Sequence, residues 1–322
     1  MKAINLIKYG SPETLQIKEV QIPEPAENEL LIKVRATAIN DYDWGMIRGK
    51  PYLYRLIFGI SRPKRQIPGM ELSGTVEALG PGARLFKKGD EVYGDISENG
   101  FGSFAEYVCV DERAVVKKPA KMSFEEATAI PHASMLAFQG LFDKGNLQNG
   151  QNILINGAGG GVGMFALQIA KLHECQVTGV DTAEKQEMMK SLGFDHFIDY
   201  RKEDFTKSGQ QYDLILDTKT THSPFAYARA LKPGGIYVTV GGNIIRLLQA
   251  YILKSLVKWS TKKTISILAL RPNKDLNYIN GLFEEGKIHC IIDGPYPFEK
   301  IPWAVRYFGE GKHKGKVVIS LF

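Results

Sequence analysis

Apolar positions change their spacing part-way along the chain. In the first third, KAINLIKYG, LQIKEV, ELLIKVRATAIN, ELSGTVEALG, DEVYGDI and SFAEYVCVD are short β-type runs punctuated by Gly, Pro and Asn. Short strands between turn residues predict an all-β domain. SFEEATAIPHASMLAFQGLFDKG then reads as helical, with Ser123 as N-cap and Glu126 three residues on, the pattern of a capping box. Beyond it, strand and helix alternate. Ile153, Leu154 and Ile155 have the aliphatic run of a buried parallel strand. Leu167, Ile169 and Ala170 continue as a helix, CQVTGVD as a strand, EKQEMMKSLGF as a helix, and HFIDY, YDLILDT and GGIYVTVGG as strands. This alternation predicts a parallel sheet with helices on both faces. The tail from Ile265 ends in the strand-like KGKVVISLF and is expected to return to the β domain. The expected division is 1–124, 125–264 and 265–322, in an α/β chain.

Between the first of those strands and its helix lies NGAGGGVG, with Gly157, Gly160 and Gly163 three apart and Gly161 and Val162 between the last two. Glycines let backbone N–H groups approach an anion where a Cβ would collide. The helix that follows points its partial positive charge at the loop. The spacing is G-x-x-G-x-x-G rather than the commoner G-x-G-x-x-G, and glycine turns also serve packing alone. The next strand ends in Asp181, 18 residues after Gly163, near the interval expected of a ribose-binding acid. The loop is therefore read as a pyrophosphate cradle.

Composition narrows the classes without changing this picture. The 322 residues suffice for two domains, and 44% hydrophobic content is that of a globular chain. A net charge of +6, with basic residues mostly scattered, does not suggest a nucleic-acid module. Three distant cysteines, Cys109, Cys175 and Cys290, fit a reducing compartment. The N-terminus has no signal-peptide pattern and no apolar run reaches a membrane span, so a cytoplasmic location is expected.

The motifs NELLIKVRATAIN, IPGMELSGTVEALG, FKKGDEVYG, GSFAEYV, NGAGGGVGMFALQIAK, ALKPGGIYVTVGG and GKHKGKVVI together resemble the medium-chain dehydrogenase/reductase superfamily over essentially the whole length. Within it the chain is similar to the zinc-free quinone oxidoreductase branch, near the reticulon-interacting and chloroplast-envelope homologues. The resemblance implies a GroES-like β domain followed by a Rossmann domain. Zinc alcohol dehydrogenases carry a cysteine where this chain has Asn40, and Gly-His-Glu where it has Gly69, Met70 and Glu71. A methionine does not replace imidazole as a zinc ligand, and no four-cysteine lobe is present, so no metal is expected.

Without a metal, the hydride acceptor should be activated already, as quinones and α,β-unsaturated carbonyls are. The protein's task is then to orient the nicotinamide and donate a hydrogen bond to the developing oxyanion. The resemblance implies Asn40, Tyr52 and Asp43 as catalytic candidates, with Tyr42 a local alternative to Tyr52, a loop brace the alternative for Asp43, and a turn cap the alternative for Asn40. A threonine that many relatives use against the nicotinamide is replaced by Leu136, so that either Ser134 substitutes or the contact is absent. Asp181 favours NADH, because a carboxylate accepts ribose hydroxyls and repels a 2′-phosphate. The family leans to NADPH, and Thr182, Lys185 and Tyr200 offer a hydroxyl, an ammonium and a phenol for that phosphate; NADPH is the narrower expectation. Lys185 is equally a solvated helix residue. Gly241, Gly242 and Asn243 look like the strand end nearest the nicotinamide. Lys316 matches a family lysine near the cofactor, its alternative being an exposed lysine at a strand start. The segment from Asn243 to Lys263, apolar and basic, is read as an apolar wall for a lipophilic acceptor, with a lid over the cleft, a homodimer contact or a peripheral membrane contact as alternatives.

Overall fold

The computed structural model describes residues 1–321. The chain divides into two compact units. Among the described residues the first comprises 1–132, 272–284 and 290–321, and the second 133–271 and 285–289.

The first unit is built on a seven-stranded sheet. Its path runs Ile292–Pro297, Lys316–Ser320, Glu29–Ala38, Glu71–Leu79, Glu91–Asp95, Val116–Lys117, and Tyr107–Asp111 pairs with Glu29–Ala38 off that path. The tail strand Lys316–Ser320 lies antiparallel to Glu29–Ala38, with Val318 opposite Ala38. This pairing places Lys316 beside the end of the strand that leads to Asn40. A core of Ile4, Ile39, Met46, Phe104, Ile301 and Val317 fills one side. Ser123 caps the helix Phe124–Ala129 as its sequence suggests: its Oγ accepts from the Glu126 N–H at 3.1 Å, and Glu126 accepts from the Ser123 N–H at 2.9 Å. The expected single bridging helix is two, Phe124–Ala129 and Pro131–Gln139, because Pro131 supplies no N–H to continue the first. The division between the units falls just after this proline rather than before the first helix, which packs on Glu29–Ala38 and Glu71–Leu79.

The second unit has a six-stranded, wholly parallel sheet in the order His196–Asp199, Gln176–Asp181, Asn152–Asn156, Tyr212–Asp217, Leu231–Thr239, Thr264–Ile267. In chain order this is 3-2-1-4-5-6, the doubly wound arrangement whose ligand crevice lies where the order reverses. Ile153, Leu154 and Ile155 are fully buried in the central strand, which explains their unbroken apolar run. The strand Thr264–Ile267 closes this sheet, so residues just past 264 serve the second unit and the return to the first begins at Pro272.

Candidate active site

The glycine loop sits at the reversal point, between the end of Asn152–Asn156 and the helix Gly161–Leu172, with Gly160 at the N-cap. Gly157 has φ +84°, a left-handed conformation, and a Cβ there would lie 2.1 Å from the Thr218 Oγ1. A Cβ on Gly163 would lie 2.4 Å from the Ala158 carbonyl oxygen, so this glycine lets the helix close onto the turn. The loop glycines thus shape the turn, and the N–H groups of the helix's first turn are left without intrahelical acceptors. Asn156 and Asp217 tie the two strands flanking the crevice through a 2.8 Å bond.

Asp181 ends the next strand, but its carboxylate is directed into the loop. Oδ2 accepts the Gly159 N–H and Oδ1 the Thr182 N–H, each at 2.9 Å. Lys185 Nζ stands 3.4 Å from Oδ1, and both side chains are buried. Lys185 is therefore no solvated helix residue; it offsets the charge on which the NADH reading rested. Tyr200, exposed, is held nearby by its N–H to the Asp181 carbonyl. Across the crevice, nothing lies within 4 Å of where a Gly241 Cβ would point. Gly242 has φ +113°, and a Cβ there would meet the Lys219 carbonyl. Asn243 caps the helix Ile244–Thr261, its Oδ1 accepting from the N–H groups of Ile245 and Arg246. Ser134 is fully buried, its Oγ has no hydrogen-bond partner among the described residues, and Leu136 is buried as well.

In the first unit, Asn40 occupies the N-cap of a helix, Asp41–Arg48, that the strand-like reading of its surroundings missed. Its side chain turns inward. Nδ2 donates to Glu71 Oε2 at 2.7 Å, Oδ1 accepts from the Lys316 ammonium, and that ammonium lies 2.5 Å from Glu71 Oε2. Glu71 Oε1 accepts the His132 N–H at 2.6 Å, and His132 Nδ1 meets Asp95 Oδ2 at 2.8 Å. All of these residues are buried. Burial alone would raise the Asp95 carboxyl, but its bonds from His132 and Ser97 outweigh it and hold the group below its ordinary range. Lys316 is thus a buried counter-charge, not an exposed residue at a strand start. His132 and Asp95 escaped the sequence reading, since their partners lie 37 and 61 residues away and no local spacing announces them.

Asp43 is the brace its alternative reading described. Oδ2 accepts the Asn40 N–H at 3.0 Å and Oδ1 the Gly69 N–H at 3.1 Å. Burial pushes its carboxyl up to about 8; the bond from Asn40 opposes this and the nearby Glu71 adds to it. The tyrosines are different. Tyr52 begins a second short helix, Leu53–Phe58, and is 67% exposed; Tyr42 is partly exposed, its ring edge against Tyr54 and His132. Among the catalytic candidates, Tyr42 and Tyr52 reach solvent, whereas Asn40 and Asp43 are committed internally.

Residues 26–120 match the model of the alcohol dehydrogenase GroES-like domain, and residues 192–319 that of the zinc-binding dehydrogenase. A 2-methylene-furan-3-one reductase of Solanum lycopersicum is 33% identical over 99% of this chain and 79% of its own. The chain belongs to the medium-chain dehydrogenase/reductase superfamily. Its branch is the quinone oxidoreductase-like one: a chloroplast envelope quinone oxidoreductase homologue of Arabidopsis thaliana is 30% identical over 99% of this chain and 98% of its own. The solved quinone oxidoreductase of Coxiella burnetii superposes with a TM-score of 0.88, at 26% identity, over 100% of this chain and 99% of that one. In the terms of this superfamily the first unit is the GroES-like domain, the second the Rossmann domain, and the chain an oxidoreductase of an NAD(P)H-dependent family. Among the described residues, no three His, Cys, Asp or Glu side chains gather into a group that could hold a metal ion.

Proposed function

We propose that the protein is a metal-independent, NADPH-dependent reductase of quinones or α,β-unsaturated carbonyls. The observation that carries this reading is the closed set around Glu71. Where zinc-dependent relatives need a thiolate and an imidazole, this chain has an Asn40 amide bonded on both sides, a fully buried Met70, and a Glu71 carboxylate already paired with Lys316. These donors do not fit zinc, so an acceptor must arrive already conjugated. The tomato relative's name specifies an enone and the Arabidopsis relative's a quinone, both of that kind.

The Rossmann residues fit a nicotinamide dinucleotide, because the tight turn at Gly157–Gly163, where a Cβ on Gly157 or Gly163 would collide with Thr218 or Ala158, leads straight into the helix Gly161–Leu172, whose first-turn N–H groups have no intrahelical acceptors. When bound, that cofactor supplies the hydride. Gly160, Gly161, Val162 and Gly163 would hold its pyrophosphate, and Gly241, Gly242 and Asn243 would stand near its nicotinamide half. Lys185, with Thr182 and Tyr200, favours the 2′-phosphate of NADPH, since Asp181 no longer presents an uncompensated charge. Tyr52 is assigned as donor to the oxygen that gains charge, its side chain being the more exposed of the two tyrosines. Asn40, Asp43 and Lys316 hold the strand end and the helix behind it in place. Steady-state assays with phenanthrenequinone, benzoquinone and a simple enone test the reading. NADPH consumption with at least one of them supports it; consumption only after added zinc rejects metal independence, and none rejects the reading in favour of a nucleotide-binding sensor or scaffold.

A further inference from the structure

Among the described residues the helix Ile244–Thr261 is the longest, at 18 residues, and most of its length is not buried. It is fixed to the Rossmann sheet through Ala250 and Val257, its only buried residues, which join the core of Leu154, Ile215 and Tyr237. At about 3.6 residues per turn, Ile245, Leu248, Ile252, Leu256 and Trp259 gather within about 80° of arc on the opposite side. Each of these is exposed, Ile252 at 65% and Trp259 at 83%. Leu248 and Tyr251, in the segment read from the sequence as an apolar wall, are exposed too.

Charge is arranged to match. Lys254, Lys258 and Lys262 follow one edge of the apolar stripe, and Lys254 lies 4.6 Å over the Tyr251 ring. From Ile244 to Lys263 there are five basic residues and no acid. A helix with an exposed apolar stripe edged by lysines suits the boundary between lipid headgroups and acyl chains. Its apolar side chains enter the boundary while the lysine stems lie along it and keep their ammonium groups at the phosphates. A second copy of this helix would bring like charges together, which the absence of acids in the segment leaves uncompensated. Among the described residues no helix is long and apolar enough to cross a membrane, so the contact is one of lying on the surface.

We infer that this helix docks the protein on an anionic lipid bilayer, with Ile245, Leu248, Ile252, Leu256 and Trp259 inserted at the headgroup level and Lys254, Lys258 and Lys262 on the lipid phosphates. This inference does not depend on the proposed reaction. It is tested by flotation of the full chain with vesicles of phosphatidylcholine alone and of phosphatidylcholine with phosphatidylserine, at about 0.1 M and about 1 M salt. The account expects binding to the anionic vesicles at the lower salt, release at the higher, and a blue-shifted Trp259 emission that Trp259→Phe removes. Lys254→Glu with Lys258→Glu should lower vesicle partitioning roughly tenfold or more, and Ile252→Ser with Trp259→Ser should do the same. Melting temperature and NADPH affinity, which these surface changes should leave as in the parent, verify folding. Equal binding to neutral and anionic vesicles, or none to either, would overturn the inference. So would full binding by both double variants, which would move the contact to another basic, apolar surface such as Tyr52–Arg65. A concentration-dependent dimer abolished by Ile252→Ser with Trp259→Ser, without vesicle binding, would assign the face to a second copy instead.

Discussion

Lys185 Nζ stands 3.4 Å from Asp181 Oδ1, with both side chains buried at the edge of the glycine loop. The pair decides what the acid can do. An unpaired carboxylate at this strand end would repel a phosphate on the adenosine ribose, whereas a carboxylate beside an ammonium and two backbone N–H groups braces the loop. Lys185→Met should therefore weaken NADPH roughly ten- to a hundredfold, the cost of a charge-assisted bond, and leave NADH within about threefold. Titration of both cofactors by fluorescence measures the ratio. An equal loss for the two would mean that Lys185 serves the loop alone.

Gly160 stands at the N-cap with φ −95°, which any residue adopts. Aspartate is a favoured N-cap, so Gly160→Asp should fold with an unchanged or higher melting temperature. Its carboxylate would take the N–H groups and the helix field intended for a pyrophosphate. The expected loss in affinity for either cofactor is roughly a hundredfold, about 3 kcal/mol. Unaltered affinity by calorimetry would remove the cradle from this loop.

How much of this was legible in the chain follows from how far apart the partners lie. The strand–glycine–helix unit is contiguous, and its aliphatic run, glycine spacing and capping box are all local signals that the structure reproduces. The sheet order 3-2-1-4-5-6 adds where the loop sits but not what it is. The polar cluster of the GroES-like domain is the opposite case. Lys316 and Asn40 are 276 residues apart and meet only because the tail strand pairs with Glu29–Ala38. Nothing within a few residues of Lys316 distinguishes it from an exposed lysine. The helix Asp41–Arg48 was missed because DYDW, short and polar, follows a clear strand; its cap is visible only once Asp43 is seen returning a bond to the Asn40 N–H.

The Lys316–Glu71 pair makes a stability prediction. Removing one member of a buried pair strands the other charge, at a cost of about 3–5 kcal/mol. Lys316→Met should cost about that much in urea unfolding, and Lys316→Met with Glu71→Gln should recover part of it. Additive losses in the double variant would show that the two charges do not depend on each other.

Asp43 gives stability a pH dependence of defined sign. Its folded pKa, about 8, lies above the unfolded carboxylate value near 3.8, so the folded chain holds the proton more tightly. The stability it contributes is present below the unfolded value and is lost as pH rises through the window to about 8. Asp43→Asn cannot titrate, and the fall in melting temperature between pH 4 and pH 8 should be shallower in that variant than in the parent. Parallel profiles would show that Asp43 is ionised throughout.

The assigned donor is tested by Tyr52→Phe, which keeps the ring and removes the hydroxyl. The turnover rate with an enone should fall about a hundredfold, the usual effect of losing one oxyanion donor. NADPH affinity should not change. A full rate in Tyr52→Phe and a hundredfold fall in Tyr42→Phe would transfer the role to Tyr42.

Hydride delivery to a conjugated acceptor is the central claim, and isotope transfer reads it most directly. NADPH deuterated at the transferring C4 position, incubated with a simple enone and the protein as purified in the presence of a chelator, should yield a saturated ketone with one deuterium on the β-carbon by mass spectrometry. Cofactor oxidation without deuterium in the product, or product formed only when zinc is restored, would contradict it.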